Sequence, residues 1–434
     1  MTALAGLLRF IDSSPTPFHA VATTQTMLRD AGFLPLSETE PWALIPGKNY
    51  FVVRGGTSLI ALRVPPSGWG ALRLSACHSD SPTFKVKPGD TVSVRGEYTQ
   101  LNTEGYGGML CASWFDRPLS VAGRVMVRTE IGIEPRLVDL DRDLLIIPSV
   151  AIHMNREANS GIKYNAQVDL LPLYGDGDAS AHFAAEIARA AGVAQEDVLA
   201  SDLSLYNRMP GTQFGSHGEF FAAPRLDDLG CAYGVLAGFL EAEPAAFSVF
   251  GLFDNEEVGS TTKQGACSTF LSDTLKRAAD CLGANRQSYL AALAGSVLVS
   301  ADNAHAVHPN HPELSDPHGG VYLGKGLVVK HNANQKYTTD AVSSALFCTL
   351  CRRENIPLQH FSNRSDLPGG STLGNLSNTQ VSVNAVDIGL PQLAMHSCYE
   401  TGGTADVDFL VRAMRAFYST PFTCTADGSI RFSS

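Results

Sequence analysis

The sequence predicts an α/β fold, a mainly parallel sheet flanked by helices, interrupted by an inserted β-rich domain. Three observations carry that expectation. Four apolar runs, ALRLSACHSD, AAFSVFGLFDNEE, GSVLVSADNAH and PQLAMHSCYE, have the continuity of buried strands, and each closes on polar residues. Among them lie three helical patterns, LDDLGCAYGVLAGFLEAE, STFLSDTLKRAADCL and TDAVSSALFCTLCRREN, and strands alternating with helices favour a parallel sheet. From about Thr91 to Ala222 the texture changes to turns and the alternating strands TVSVRGEY, LSVAGRVMVR and LLIIPSVAIHM, with one helix around SAHFAAEIARAAG. Residues 1–90 and 223–434 therefore combine into one unit, since both supply strands of the same kind, and 91–222 form the insertion.

Taken from the N-terminus, MTALAGLLRFIDSS lacks a basic leading region and carries Arg9 and Asp12 within its apolar stretch, so it does not read as a secretion signal. Thr16 and Pro17 open a helix that closes at Gly32, because Pro suits the first helical position and Gly the left-handed turn after the last. YFVVRG and SLIALRV follow as short strands. A length of 434 residues suggests two or three folding units. No apolar run approaches the roughly 20 residues that span a bilayer, which predicts a soluble protein without a membrane partner. Acidic residues outnumber basic ones, 43 against 32, and no basic cluster is present, so nucleic acid is not expected as a partner. That negative field also repels an acidic substrate at long range, and a preference for one needs a local cation. Nine scattered cysteines fit a reducing cytoplasm. Cys348 and Cys351 read as buried helical thiols, since no second pair accompanies them.

In an open α/β sheet, ligands bind beyond the carboxyl ends of the strands. Four runs end there in metal-ligand chemistry: His78 with Asp80, Glu256 with Glu257, Asp302 with His305, and His396. Asp227, in APRLDDLG, falls where a helix begins. Each has a plain reading alone: a core histidine, a turn-forming Asp302, a solvated Glu256–Glu257 turn, or an N-cap at Asp227. Together, two histidines and three carboxylates on one rim match the nitrogen and oxygen set that holds zinc or a similar divalent ion, with one carboxylate left as a base. A helix start is also rigid enough for Asp227 to bridge two ions. Asp80, two residues past His78, suits a carboxylate that orients an imidazole through its other nitrogen, or else a turn cap.

In this order, SACHSDSPTFKVKP, APRLDDLG, FDNEEVGS, SADNAHAVHPNHPE and LAMHSCYE resemble the motifs of the aspartyl aminopeptidase family of dinuclear metallo-aminopeptidases, and the similarity covers almost the whole chain. The resemblance implies a cytoplasmic enzyme that removes an N-terminal Asp or Glu from short peptides. It implies two divalent ions per subunit, zinc first, with cobalt or manganese accepted by the same ligands. On this reading His78, Asp227 and Asp302 hold one ion, while Asp227, Glu257 and His396 hold the other. Glu256 is the general base, and one ion receives the free α-amine. Lys330 pairs with the acidic side chain, and His305 and Tyr337 contact the substrate. His153 reaches into the active site of a neighbouring subunit, so the insertion doubles as a dimerisation domain within a closed dodecamer. Asp228 stands where many relatives carry Asn, and the Asp227–Asp228 peptide bond is expected to be cis. The Gly369–Gly374 segment lacks the lysine of a phosphate loop and is expected to lie close to the substrate. His308, His311 and His318 read as loop residues.

Two other functions fit the sequence. One keeps fold and metals but prefers neutral side chains or acts as an amidohydrolase. The other is an inactive scaffold or binding protein, against which the presence of all six metal and base residues argues.

Overall fold

The apolar N-terminal stretch folds as helix α1 (Ala3–Asp12), capped by the Thr2 hydroxyl, and it buries Leu4, Leu7, Phe10 and Ile11. Each such side chain contributes about 1.5–3 kcal/mol on leaving water, so this stretch is a core element. Helix α2 (Pro17–Asp30) starts at Pro17 as expected, and Gly32 beyond it takes φ +81°. The computed structural model describes residues 2–425 and 427–433. Strands β1 (Leu34–Leu36), β2 (Asn49–Arg54) and β3 (Ser58–Arg63) lead to β4 (Leu72–His78), in which every residue is buried.

A second sheet follows. It is built from β5 (Thr83–Val94), β6 (Tyr98–Tyr106), β7 (Leu119–Thr129) and β8 (Gly132–Asp139), then, past the short α3 (Ala166–Asp169), from β9 (Leu173–Asp176) and β10 (Val198–Asn207). Its order is β8-β7-β10-β5-β6-β9, all antiparallel. Helix α4 (Phe183–Ala191) packs Phe183 and Ile187 into a cluster with Phe84, Leu101, Trp114, Val121 and Val125. One expectation needs correction. LLIIPSVAIHM is not a strand: Leu145, Ile146 and Ile147 make isolated bridges, and beyond Pro148, which has no N–H to offer a ladder, the chain turns through 152–154. The sheet's strands run from Thr83 to Asn207. The next strands, β11 (Thr212–Phe214) and β12 (Phe220–Ala223), pair elsewhere.

The remaining chain returns to α/β alternation. It contains α5 (Leu226–Glu241), β13 (Phe247–Phe253), α6 (Phe270–Cys281), α7 (Arg286–Ala294), β14 (Val297–Ala301), β15 (Ala304–His305), β16 (Leu327–His331) and α8 (Ala341–Arg353). Next come β17 (Leu358–Ser362), α9 (Leu373–Ser377), β18 (Asn384–Gly389), β19 (Pro391–Leu393), β20 (Glu400–Gly403) and α10 (Thr404–Ser419). The main sheet has the order β1-β2-β3-β13-β4-β14-β18-β16-β17, and its centre, β13 to β18, is parallel.

Both faces of that centre are covered, which is why its strands are apolar without alternation. Along β13, Val249 and Phe253 join a cluster with Phe270 and Leu275 of α6, whereas Phe250 and Leu252 join one with residues of α1, α5, α8 and α10. Cys348 and Cys351 are buried free thiols of α8, as expected. A third sheet, β11-β12-β20-β19-β15, corrects another expectation. PQLAMHSCYE does not add a fourth ligand-bearing strand to the main sheet; it supplies β19 of this small one.

Candidate metal centre

Parallel register brings three ligand-bearing strand ends to one level. Phe253 at the end of β13 sits opposite His78 at the end of β4, and Ser300 of β14 sits opposite Ala76. Past β13, Asn255 takes a left-handed conformation (φ 63°) and starts the short helical turn Glu256–Val258. The Asp80 carboxylate clamps that turn, its two oxygens each accepting an N–H at 3.2 Å, one from Glu256 and one from Glu257. It also accepts the Tyr106 hydroxyl at 2.6 Å.

Asp227 enters from the other side. It is not an N-cap: Arg225 holds that position, Asp227 itself has non-helical dihedrals, and the Asp227–Asp228 peptide bond is cis. Its N–H donates to the buried Glu400 carboxylate at 2.9 Å, and the other Glu400 oxygen accepts from His396 N–H at 2.7 Å. Glu400 therefore fixes two candidate ligands at once.

The ligand atoms converge in three overlapping groups, one of which is His78, Glu256 and Glu257. His78 Nε2 lies 3.4 Å from Asp227 Oδ1, while His396 Nε2 lies 3.7 Å from Asp227 Oδ2 and 3.3 Å from Glu257 Oε2. Those separations are long for hydrogen bonds. They match the edge of a ligand tetrahedron around an ion with bonds of about 2.1 Å, which is about 3.4 Å. His78, Asp227, Asp228 and Asp302 can approach one point, and Asp227, Glu257 and His396 another. Asp227 Oδ1, Asp228 Oδ1 and Glu257 Oε1 are buried without a hydrogen-bond partner. Buried acceptors are rarely left so, and a cation would supply what they lack.

Both imidazoles present the right nitrogen. His78 Nδ1 lies 3.0 Å from the Asp80 carbonyl, and His396 Nδ1 lies 2.6 Å from the Gly108 carbonyl. A carbonyl can only accept, so each Nδ1 carries the proton and each Nε2 keeps its lone pair for a metal. The Asp80 carboxylate lies farther from His78 Nδ1, at 3.4 Å. Its expected orienting role is thus shared with its own main chain.

Crowded carboxylates dominate the electrostatics. Burial pushes the Glu256 carboxyl up to about 8, opposed by His78 and reinforced by Asp302, Asp80 and Asp227. Burial likewise drives Glu257 and Asp228 well above the carboxylate range. Burial alone would depress the Lys330 ammonium, but Asp302, Tyr337 and Asp387 hold it above the ordinary lysine value. Lys330 is 2% exposed and sits 3.6 Å from Asp302, which rules out the solvated edge-strand residue that its sequence context also allowed.

The chain's residues 10–418 match the family model described as aminopeptidase I zinc metalloprotease (M18). A probable M18 family aminopeptidase 2 from Clostridium acetobutylicum is 42% identical over 423 residues, covering 95% of this chain and 98% of that protein. This chain belongs to the M18 family of zinc aminopeptidases. Its relative of the same description from Stutzerimonas stutzeri is 40% identical, over 96% of this chain and 97% of that protein. Among solved M18-like structures, the Ape4 and Nbr1 complex contains a chain with TM-score 0.91 and 35% identity, covering 96% of this chain and 85% of that one. The S. cerevisiae mApe1 dodecamer gives a TM-score of 0.85 at 27% identity, over 96% of both chains. As an M18 member the protein is a metallo-exopeptidase, and zinc is the family's metal.

Within this M18 chain, a pocket of about 150 Å³ gathers His78, Asp227, Glu256, Glu257, Asp302 and His396 with His305, Lys330 and Tyr337. Gly370, Ser371 and Thr372 also line it. Asp80 lies behind it. His153 is the exception: it is exposed on the 152–154 turn and does not line the pocket. Sequence reasoning missed Glu400, Tyr106 and Gly108. A buried Glu two residues beyond Cys398 in an otherwise apolar stretch was the available signal for Glu400; a carbonyl such as Gly108's leaves none.

Proposed function

We propose that this M18 enzyme is a dinuclear aminopeptidase that prefers an N-terminal Asp or Glu on short peptides. The observation that supports two ions best is Asp227, whose two oxygens face two different imidazoles. His78, Asp227 and Asp302 then hold one ion, and Asp227, Glu257 and His396 the other. Bound there, zinc, or cobalt or manganese in its place, would polarise the scissile carbonyl and stabilise negative charge on its oxygen.

Glu256 is the general base. Its carboxylate lines the pocket beside the candidate ligands and, among the described residues, makes no hydrogen bond or ion pair, which supports that role. It takes that proton from the attacking water and returns it to the departing amine, leaving the carboxylate as it began. Asp80 acts by positioning, holding the Glu256–Glu257 turn through both N–H groups.

Acid preference rests on Lys330, the one Lys or Arg among the pocket's lining residues. Tyr337 supports its ammonium, with Nζ 5.4 Å from the ring centroid. His305, exposed at the mouth, is the further substrate contact. We assign the β-rich region 91–222 to oligomerisation, with His153 completing a neighbour's site in a dodecamer, and the cytoplasm as the compartment. No helix among the described residues is long and apolar enough to cross a membrane.

The test is Glu256→Gln. Loss of a general base costs about 10²–10⁴-fold in kcat, and metal content should stay at the parent's level because Glu256 is not assigned as a ligand. Retained turnover sinks the mechanism. A panel of aminoacyl-nitroanilides checks specificity separately: if neutral residues outrun Asp and Glu, the acidic preference is lost and the neutral-preference reading stands.

A further inference from the structure

The strand pair β16 and β17 carries chemistry on both faces. Lys330 and Phe361, opposite each other in register, line the catalytic pocket. Their neighbours His331 and His360 point the other way and line a separate cleft of about 660 Å³. There His331 Nε2 and His360 Nδ1 lie 3.1 Å apart, with ring centroids 5.3 Å apart and planes inclined by 31°.

We propose that His331 and His360 form a peripheral site for an imidazole-seeking divalent cation, such as Zn²⁺, Ni²⁺ or Cu²⁺. Two nitrogens bound to one ion at about 2.0–2.1 Å stand about 2.9–3.4 Å apart, from a right angle to the tetrahedral angle. The observed separation falls inside that range. Borderline cations take imidazole readily, and calcium or magnesium do not. Burial, then the neighbouring His360, pull the His331 pKa below the ordinary histidine value, so protons do not compete strongly for its lone pair near neutrality. The cleft is open, and Asn332, Thr339 and Asp340 are among its lining residues, which leaves room for waters to complete the coordination.

The consequence is mechanical as well as chemical. β17 is an edge strand, held in the main sheet by β16 alone. An ion across His331 and His360 would staple it to β16 directly behind Lys330 and Phe361. No residue of the proposed catalytic machinery takes part, so this site stands or falls independently of the dinuclear reading.

The experiment is calorimetric titration of the zinc-loaded, full-length protein with NiCl₂, beside His360→Gln and His331→Gln. The parent is expected to bind one nickel per subunit more than either variant, or to bind it about tenfold or more tightly, because each variant keeps one of two protein ligands. Nickel should also raise the melting temperature of the parent more than that of the variants. Peptidase activity without nickel should be unchanged in both, showing that the fold and the catalytic centre survive. Identical nickel isotherms for parent and variants would overturn the proposal. So would a parent that binds no nickel beyond its catalytic ions, which would leave the pair as an imidazole–imidazole hydrogen bond only.

Discussion

Glu400→Gln tests whether the candidate ligands are held by a single buried carboxylate. Glu400 is 1% exposed, and its two oxygens accept from Asp227 N–H at 2.9 Å and His396 N–H at 2.7 Å. Glutamine keeps the shape but offers one acceptor, so its NH₂ must face one of the two N–H groups. One charge-assisted hydrogen bond is lost, about 1.5–3 kcal/mol. With about 1.4 kcal/mol per factor of ten, zinc affinity should fall by about 10- to 100-fold if the loss is felt at the ligands. Competition against a chromophoric chelator measures this directly. At saturating zinc, kcat should recover to near the parent's, since Glu400 touches no substrate. If zinc affinity is unchanged while the metal-free protein loses the whole increment in urea, Glu400 is a fold element only and the reasoning fails.

Three further outcomes follow from the same geometry. Gly389→Ala would drive a methyl into the carbonyl oxygen of Asp302; a urea melt should show a loss of about 1–3 kcal/mol, with activity falling as Asp302 shifts. Chelation with EDTA should abolish turnover and lower the melting temperature, because a bound ion stabilises only the folded state; hydrolysis by protein that mass spectrometry shows to be metal-free would contradict the site. His19, 2.8 Å from the Thr16 hydroxyl, has its pKa lowered from 6.5 by burial, with Asp139 opposing and Arg225 adding to the shift. Below about pH 6.5 the unfolded chain therefore binds more protons than the folded one, and stability falls as pH drops. His19→Gln should flatten that slope below about pH 6.5, and an unchanged slope in thermal melts would refute it.

The candidate ligands were legible wherever a ligand ends a fully buried strand. β4, β13 and β14 are buried at every position, so each reads as an uninterrupted apolar run, and the first polar residues after it mark the rim. His396 broke that pattern. Its run is equally apolar, but it packs in the small sheet, and nothing local distinguishes the two settings. LLIIPSVAIHM failed for a related reason: β-branched and apolar residues satisfied the strand pattern while tertiary context gave the segment bridges instead of a ladder. Glu400 acts on Asp227, and Gly108 on His396, across long sequence separations, on groups whose identity is known only after folding. The clamp by Asp80 was half visible, since its spacing to His78 suggested the imidazole but not the two N–H groups of Glu256 and Glu257.

The two halves of the centre depend on different parts of the fold. His78 and Asp302 continue strands of the main sheet, and the His78 ring is held by Asp80, two residues away. His396 has no such support. Its ring rests on the Gly108 carbonyl at 2.6 Å, its own carbonyl accepts Leu110 N–H at 2.9 Å, and Cys398 N–H donates to Ser113 Oγ at 2.9 Å. All three anchors belong to the connection between β6 and β7 of the second sheet. Tyr106, at the end of β6, reaches Asp80 and so the Glu256–Glu257 turn. A displacement of the second sheet therefore acts directly on His396 through its three anchors, and more remotely on His78 and the Glu256–Glu257 turn through Tyr106 and Asp80. The second sheet is thus part of the centre's construction within one subunit.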